Sequence, residues 1–346
     1  MQDQALEFPF PTLPEAGQML EVAPGVRWLR MPLPMSLNHI NLWAINDGDG
    51  WTLVDAGMHT PQTVTTWETV LAVPMGGRPV KRVICTHMHP DHVGMAGWFT
   101  RRFDCALWMT RLEYLTCRML VADTGREAPV DALRFYESAG WSAEDLEHYK
   151  ARFGEFGRMV HPLPESFHRV ADGREFLIGA NRWRAVIGRG HSPEHLCLYC
   201  PERRLFISGD QVLPKITSNV SVFSTEPDAD PLRDWLESLA AIRAAVPDDV
   251  CVLPAHNEPF YGLHARIAQL IDGHERSLHR LLEAIAEPKT ATDVFGLLFR
   301  RPVSGSNLLM ATGESVAHLN CLVGRGLATV EADEQGARRY RARRVA

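Results

Sequence analysis

The sequence predicts an α/β protein, with one large domain of strands and helices followed by a smaller, mostly helical module. Three observations support this prediction. Strand-like apolar runs and amphipathic helical runs follow one another through the first 262 residues. Histidine and aspartate residues stand just past several of these strands, where α/β proteins build their sites. After residue 262 the pattern changes to three helices and a hairpin.

The composition narrows the class of protein. The 346 residues, 45% hydrophobic and 23% charged, suffice for one large domain and a small one. The net charge of −6 argues against a protein that coats nucleic acid along its whole surface. Seven cysteines without paired spacing predict free thiols. The N-terminus shows no export signal and no stretch resembles a membrane helix, so we expect a cytoplasmic protein without membrane contact.

The first elements are strands joined by a tight turn. Apolar runs at 41–45 and 51–54 flank a Gly-Asp-Gly turn signal at 48–50, which predicts a hairpin. A helix is predicted over 61–71, and a strand over 80–85 follows it.

The middle of the chain, from about 110 to 165, has helical spacing interrupted by proline and glycine. We interpret it as a helical insertion over one face of the domain. Asp230 and Pro231 are typical of a helix start and predict one late helix. The strands predicted after the insertion are 175–178, 183–187, 196–199, 205–207 and 250–253.

The C-terminal residues 263–346 form the predicted module, and residues 1–262 form the catalytic domain. An amphipathic helix ends at Pro288, Thr290 and Asp293 make a capping-box pattern, and a third helix stops near Gly324. A hairpin over 327–330 and 337–341 follows. This order predicts a winged-helix domain.

The strongest chemical signal is the run His87-Met88-His89-Pro90-Asp91-His92. Alternate side chains of an extended segment share a face, so His87, His89 and Asp91 can point the same way. A turn into a helix then brings His92 beside them. Nitrogen and oxygen ligands of this kind suit zinc, iron or manganese.

Three later motifs place further ligand-type residues past strand ends: Gly190-His191-Ser192-Pro193-Glu194-His195, Ser208-Gly209-Asp210 and Pro254-Ala255-His256. In this order, with Leu53-Val54-Asp55-Ala56-Gly57 upstream, the motifs resemble the metallo-β-lactamase superfamily. The resemblance covers about residues 25 to 262 and implies an αββα sandwich.

The resemblance also implies the ligand roles. His87, His89 and His191 would hold a first metal ion, and Asp91, His92 and His256 a second, with Asp210 bridging both.

Four other residues have open roles. Asp55 is either a residue that orients a ligand or a simple turn residue. His195 is either a donor to the substrate or a satisfied buried histidine, and Lys215 and Asn219 are candidate substrate contacts.

We expect two divalent cations, with zinc as the first choice and iron or manganese as alternatives. Two such cations imply a hydrolase mechanism. A water shared between the cations loses a proton near neutral pH, and the bridging hydroxide attacks an electrophilic carbon or phosphorus. Asp91 or Asp210 is the expected catalytic proton relay.

The complete ligand set and the lack of an export signal disfavour antibiotic hydrolysis. The set resembles glyoxalase II, the lactonases and the RNA-processing branch. We expect a small ester or thioester substrate, as for a hydroxyacylglutathione hydrolase, because the insertion supplies apolar side chains for a lid or for its own core. These are Trp108, Met109, Tyr114, Met119, Phe135, Tyr136 and Trp141.

Two alternatives stay open. One is a single-strand RNA endonuclease or other phosphodiesterase that holds phosphates with an arginine-rich segment. Its arginines are Arg338, Arg339, Arg341, Arg343 and Arg344, which are otherwise a solvated edge or a dimer contact. The other is a winged-helix regulatory or binding protein. A small-molecule substrate is the expected partner, nucleic acid is less favoured, and a homo-oligomer is left open.

Overall fold

A computed structural model describes residues 6–35 and 37–343 of the chain. The fold is α/β: two sheets pack face to face, and helices cover the outer face of each. This is the αββα arrangement that the sequence motifs predict.

The first sheet has seven strands that follow one another in chain order. Neighbours from β1 to β4 are antiparallel, and those from β4 to β7 are parallel. The strands are β1 Leu20–Ala23, β2 Val26–Pro32, β3 His39–Asp47, β4 Gly50–Val54, β5 Val80–Ile84, β6 Ala106–Met109 and β7 His168–Arg169.

The second sheet has five strands, in the order β12-β11-β10-β9-β8. Its strands pair antiparallel except β11 and β12, which are parallel. They are β8 Glu175–Ile178, β9 Asn181–Gly188, β10 His195–Cys200, β11 Leu205–Gly209 and β12 Cys251–Pro254.

A layer of buried side chains joins the two sheets. Successive residues of a strand face opposite sides, so each sheet sends alternate residues into this layer. Trp28 and Trp43 come from neighbouring strands of the first sheet and stack with centroids 6.2 Å apart. Leu196 and Leu198 enter it from β10, while Cys197 and Tyr199 of the same strand face the other way, into the outer core.

Helices cover both outer faces. Thr60 caps the first helix by accepting from the Thr63 N–H at 3.1 Å, and Asp230 caps the late helix by accepting from the Arg233 N–H at 3.1 Å. The predicted start at Asp230 is thus observed. On the first sheet lie α1 Pro61–Ala72, α2 Pro90–Val93 and α3 Ala96–Phe103, and on the second lies α7 Pro231–Ala245.

The predicted insertion contains the helices α4 Arg111–Ala122, α5 Val130–Ser138 and α6 Ala143–Arg152. Its aromatic residues do not form an open lid. Phe135, Tyr136 and Trp141 are buried in the core beside the second sheet. Trp141 also donates from Nε1 to Thr312 Oγ1 at 2.8 Å, so these rings pack against the C-terminal residues instead of covering a site.

The C-terminal residues contain helices and a hairpin in the predicted order. They are α8 Leu263–Ala284, α9 Phe295–Leu298, α10 Leu308–Gly324, β13 Ala328–Ala332 and β14 Arg338–Ala342. Short 3-10 turns span Glu155–Met159, Pro201–Arg203, Thr292–Val294 and Gly305–Asn307. The first of these helices begins at residue 263 and ends at residue 284, shortly before Pro288.

These helices share one apolar cluster with α7 and the second sheet, so their packing is continuous with that of the sandwich. The division into 1–262 and 263–346, and the designation winged helix, stay predictions. No helix in the described part of the chain is long and apolar enough to span a membrane.

Candidate metal centre

The residues of the predicted metal site meet at one edge of the sandwich. His87 lies in the segment after β5, Asp210 directly follows β11, and His256 follows β12. His191 lies in the loop between β9 and β10. Strand ends from both sheets therefore supply the site, as the position of each motif predicts.

The first motif folds as its spacing indicates. The chain leaves β5 extended and enters the one-turn helix α2, where the His92 N–H donates to the His89 carbonyl at 3.0 Å. His87 Nε2 and His89 Nδ1 approach to 2.8 Å. Cys85, just before the motif, is fully buried and belongs to the apolar core.

The ligand-type side chains form two groups. In the first group, the ligand atoms of His87, His89, His191 and Asp210 all lie within 4.8 Å of one another. In the second group, those of Asp91, His92 and His256 do the same. These are the two sets that the resemblance implies.

Asp210 joins the two groups. Its Oδ2 lies 3.3 Å from His191 Nε2 and 3.5 Å from His92 Nε2. Its Oδ1 lies 3.5 Å from His256 Nε2. One carboxylate thus faces histidines of both groups, which is the arrangement expected of a bridging ligand.

Two polar atoms at the centre lack a partner. His92 Nε2 and Asp210 Oδ1 are buried, and neither has a hydrogen-bond partner among the described residues. Buried polar atoms left unpaired are costly, and both face the other ligand atoms. Imidazole and carboxylate donors suit zinc and other divalent cations. The residues present are therefore compatible with a dinuclear divalent metal site.

The electrostatics of the first group favour the forms that bind metal. Burial lowers the pKa of His87 and of His89, the latter to about 3, and neighbouring imidazoles lower both further. These rings are therefore neutral at physiological pH, as metal ligation requires.

The second group is more strongly coupled. Burial by itself would raise the pKa of Asp91, but His92 and His256 outweigh it and hold the pKa at about 2. Burial would lower the pKa of His92, yet the carboxylates of Asp91 and Asp55 hold it well above its usual value.

Asp55 lies where an orienting residue would lie. His92 Nδ1 donates to its Oδ2 at 2.8 Å, and the Thr86 N–H donates to its Oδ1 at 2.7 Å. Asp55 has a φ of 62°, a left-handed conformation that is uncommon for a residue other than glycine. The contact supports the orienting interpretation over a simple turn.

His195 is enclosed. It is fully buried, and its Nε2 accepts from the Asp210 N–H at 3.0 Å. Its Nδ1 lies 3.6 Å from Cys197 Sγ. These contacts correspond to the satisfied buried histidine, and its hydrogen bond positions the backbone of Asp210.

Lys215 and Asn219 both engage protein groups. Lys215 Nζ pairs with Glu258 Oε2 at 2.7 Å. The Asn219 carbonyl accepts from His191 Nδ1 at 2.7 Å, and its Nδ2 donates to Glu314 Oε2 at 2.9 Å. Their predicted role as substrate contacts stays a prediction.

Sequence reasoning missed two residues that hold the site. Glu113 is fully buried; its Oε2 accepts from the Met88 N–H at 2.9 Å and its Oε1 from the Glu194 N–H at 2.7 Å. It thus ties two ligand-bearing loops together. The His39 carbonyl accepts from His256 Nδ1 at 2.9 Å. Neither residue lies in a motif, so no local signal could have found it.

The arginine-rich segment is partly neutralised. Arg338 pairs with Asp228 at 2.8 Å. Arg339 pairs with Asp333 at 2.8 Å and with Asp293 at 3.4 Å. The side chains of Arg341 and Arg343 are exposed, and Arg344 lies outside the described residues.

The chain resembles known proteins in sequence. The model of the metallo-beta-lactamase superfamily matches residues 36–256, and a metallo-beta-lactamase-like C-terminal domain matches residues 278–343. The probable metallo-hydrolase YqjP of Bacillus subtilis is 23% identical over 85% of this chain and 91% of its own length. An atrochrysone carboxyl ACP thioesterase of Aspergillus fumigatus is 23% identical over 80% of this chain, which spans about half (51%) of that relative.

Solved structures agree. A beta-lactamase domain protein from Burkholderia ambifaria is 39% identical, with a TM-score of 0.90 over 99% of both chains. A metallo-beta-lactamase family protein from Thermus thermophilus is 26% identical, with a TM-score of 0.78 over 93% of this chain and all of its own. With its two sheets, its His and Asp centre and these matches, the chain belongs to the metallo-β-lactamase superfamily and is a metallo-hydrolase.

Proposed function

We propose that the chain is a dinuclear metal-dependent hydrolase of a small carboxylic ester or thioester. The observation that supports this most strongly is the position of Asp210, whose two oxygens face histidines of both ligand groups. A structural metal site is closed by its protein ligands, whereas a pair of adjacent cations suits the activation of water.

Two bound divalent cations would lower the pKa of a water and stabilise the oxygen that gains charge. Zinc is the first choice for both. The chain's own residues would orient the substrate and move the proton. Neighbouring histidines hold the pKa of both Asp210 and Asp91 below its usual value, so both carboxylates are ionised, and we assign Asp91 as the proton acceptor on its exposure. Its side chain is 17% exposed against 9% for Asp210, so it is the more accessible carboxylate.

Apolar side chains beside the His191 loop favour an acyl substrate. The N-terminal turn of α4 meets this loop where the Leu112 N–H donates to Glu194 Oε2 at 2.9 Å, and Leu112 and Leu115 of that helix are 44% and 52% exposed. Met310 of α10, whose carbonyl accepts from Ser221 Oγ at 3.3 Å, is 53% exposed. Apolar surface of this kind suits an acyl group better than a phosphate chain.

The relatives point the same way. One relative is named a thioesterase for a carrier-protein-bound acyl group, and another is named a probable metallo-hydrolase. Their names support hydrolysis of a thioester or ester without identifying the acyl group.

A substrate panel tests the proposal. Purified protein would be assayed on thioesters, lactones, a phosphodiester and single-stranded RNA, with and without added Zn²⁺, and Asp210→Ala would serve as the control for contaminating activity. We expect metal-dependent turnover of a thioester or lactone that the control lacks. Cleavage of RNA alone would contradict the proposed substrate class.

The arginine-rich hairpin favours the phosphodiesterase alternative. If arginines hold RNA, affinity should fall steeply with salt through counterion release, whereas binding of an apolar acyl group should respond weakly. Replacing Arg338, Arg339, Arg341, Arg343 and Arg344 with glutamine separates the two. Unchanged thioester kinetics are expected, and selective loss of RNA cleavage would establish the alternative.

A further inference from the structure

The loop of residues 218–222 holds one of the metal-site histidines. His191 Nδ1 lies 2.7 Å from the backbone oxygen of Asn219. A carbonyl can only accept, so Nδ1 carries the proton, and Nε2 keeps its lone pair towards Asp210 Oδ2, 3.3 Å away. A hydrogen bond of this kind fixes the tautomer and the ring orientation of a histidine that binds metal.

Helix α10 of the C-terminal region fixes this loop in turn. Asn219 Nδ2 donates to Glu314 Oε2 at 2.9 Å. The Val222 N–H donates to the Gly313 carbonyl at 3.0 Å. Two neighbouring residues of α10 therefore bond to Asn219 and to Val222 of this loop. Asn219 and Glu314 are 95 residues apart in the sequence.

Glu314 is an unusual residue for a purely structural helix. Burial raises the pKa of its carboxyl to about 7, and the hydrogen bond from Asn219 opposes that rise. Among the described residues no cation pairs with this carboxyl, whose partner is the Asn219 amide. A carboxyl taken out of water costs free energy, which an apolar side chain at the same place would avoid. The hydrogen bond from Asn219 is the interaction that offsets this desolvation free energy.

Gly313 permits the close approach. Glycine inside a helix costs about 1 kcal/mol relative to alanine. A Cβ at this position would lie 2.7 Å from Ser221 Cβ and 2.9 Å from the Val222 carbonyl oxygen, closer than such atoms come in proteins. The helix and the loop can therefore lie at this distance only because the residue is glycine.

We propose that α10 is a functional part of the metal centre. Glu314 and Gly313 position the Asn219 carbonyl, which orients His191, so that the C-terminal region sets the metal affinity of the first ligand group. Glu314 is a positioning residue, since it acts through Asn219. The inference rests on the proposed metal centre and not on the identity of the substrate.

Metal affinity tests this inference without a substrate. Metal-depleted wild type, Glu314→Leu, Glu314→Gln and Gly313→Ala would be titrated with Zn²⁺ against a chromogenic chelator. We expect Glu314→Leu and Gly313→Ala to weaken one of the two binding steps by about 10- to 100-fold and to leave the other near wild type. Glu314→Gln should stay close to wild type because its amide oxygen still accepts from Asn219.

A matched control separates positioning from loss of stability. Arg325, at the far end of α10, pairs with Glu275 of α8 at 2.7 Å. Arg325→Gln should lower the melting temperature without changing either affinity.

Folded Glu314→Leu and Gly313→Ala proteins with both affinities unchanged would overturn the inference. If Glu314→Leu does not fold, Glu314→Ala carries the same expectation. A wild-type protein that binds no metal would overturn the proposed function as well, so the two failures are distinguishable.

Discussion

The two halves of the metal centre are held in different ways. His92 donates to the Asp55 carboxylate at 2.8 Å, and Asp55 stands at the end of β4, beside the strand that leads to His92. His191 donates to a backbone carbonyl at 2.7 Å, in a loop bonded to α10. One half thus depends on the register of adjacent strands, and the other on a contact between distant parts of the chain.

The chemistry of the two acceptors differs as well. A carboxylate draws the imidazole proton more strongly than a neutral carbonyl and makes the ring a stronger donor to metal. Asp55 is among the groups that hold the pKa of His92 above its usual value, against the effect of burial. We therefore expect the two halves to respond separately to substitution, and the following experiments test that separation.

The largest effect is expected from Asp210→Ala, because this carboxylate faces both halves. Turnover should fall by roughly three orders of magnitude or more, and both metal-binding steps should weaken. Elemental analysis and kinetics would measure this. His195→Ala should leave the metal content unchanged, since His195 belongs to neither ligand group. Full activity in both variants would show that the site is wrongly assigned.

A smaller and one-sided effect is expected from Asp55→Ala. It removes the acceptor of His92 and should weaken one metal-binding step by about 10- to 100-fold. The step that responds should differ from the one altered by Gly313→Ala, because the two substitutions act on different histidines. Chelator competition on both variants and their combination would measure this. If both variants weaken the same step, the two halves are not independent.

The smallest effect on the site is expected from Asp47→Asn. Asp47 is the last residue of β3 and pairs with Gly50 at the start of β4, the end away from Asp55. Asp47 accepts from the Gly179 N–H at 3.0 Å and from Arg82 and Thr52 at 2.8 Å each. Losing the charge should cost about 1.5–3 kcal/mol of unfolding free energy and leave both metal affinities unchanged.

The pH dependence checks this interpretation. Burial would raise the pKa of Asp47, but these hydrogen bonds outweigh it and hold the pKa below its usual value. Because the folded-state pKa is the lower one, the stabilisation is present above the unfolded value, near 4, and is lost as pH falls through the folded value. The difference between wild type and Asp47→Asn should therefore shrink in acid. Asp49→Asn, in the same hairpin, removes only an exposed contact with Lys81 at 3.0 Å; it is the control and should change the stability far less than Asp47→Asn.

Much of the fold and the grouping of the candidate ligands could be predicted from the sequence because the signals are local. The candidate ligands of the first motif lie within six residues, and the other motifs follow strands that stand out as short apolar runs. The cap at Asp230 and the helical insertion are predictable for the same reason.

The groups that hold the ligands could not be found this way. The Asn219 and His39 acceptors are backbone carbonyls, which any residue type supplies. Glu113 and Glu314 reach their partners across 81 and 95 residues, so no spacing in the sequence relates them. Of the two roles left open for Trp141 and its neighbours, lid or core, the structure shows the core, and a helical stripe is the same whether it faces a substrate or a core.

In the proposed mechanism, one site with two metal ions hydrolyses the substrate. Metal-depleted protein would be titrated with Zn²⁺ while bound metal and hydrolysis of a thioester are measured in parallel. We expect saturation at two ions per chain, with turnover appearing as the second ion binds. Saturation at one ion, with full turnover already reached, would contradict it.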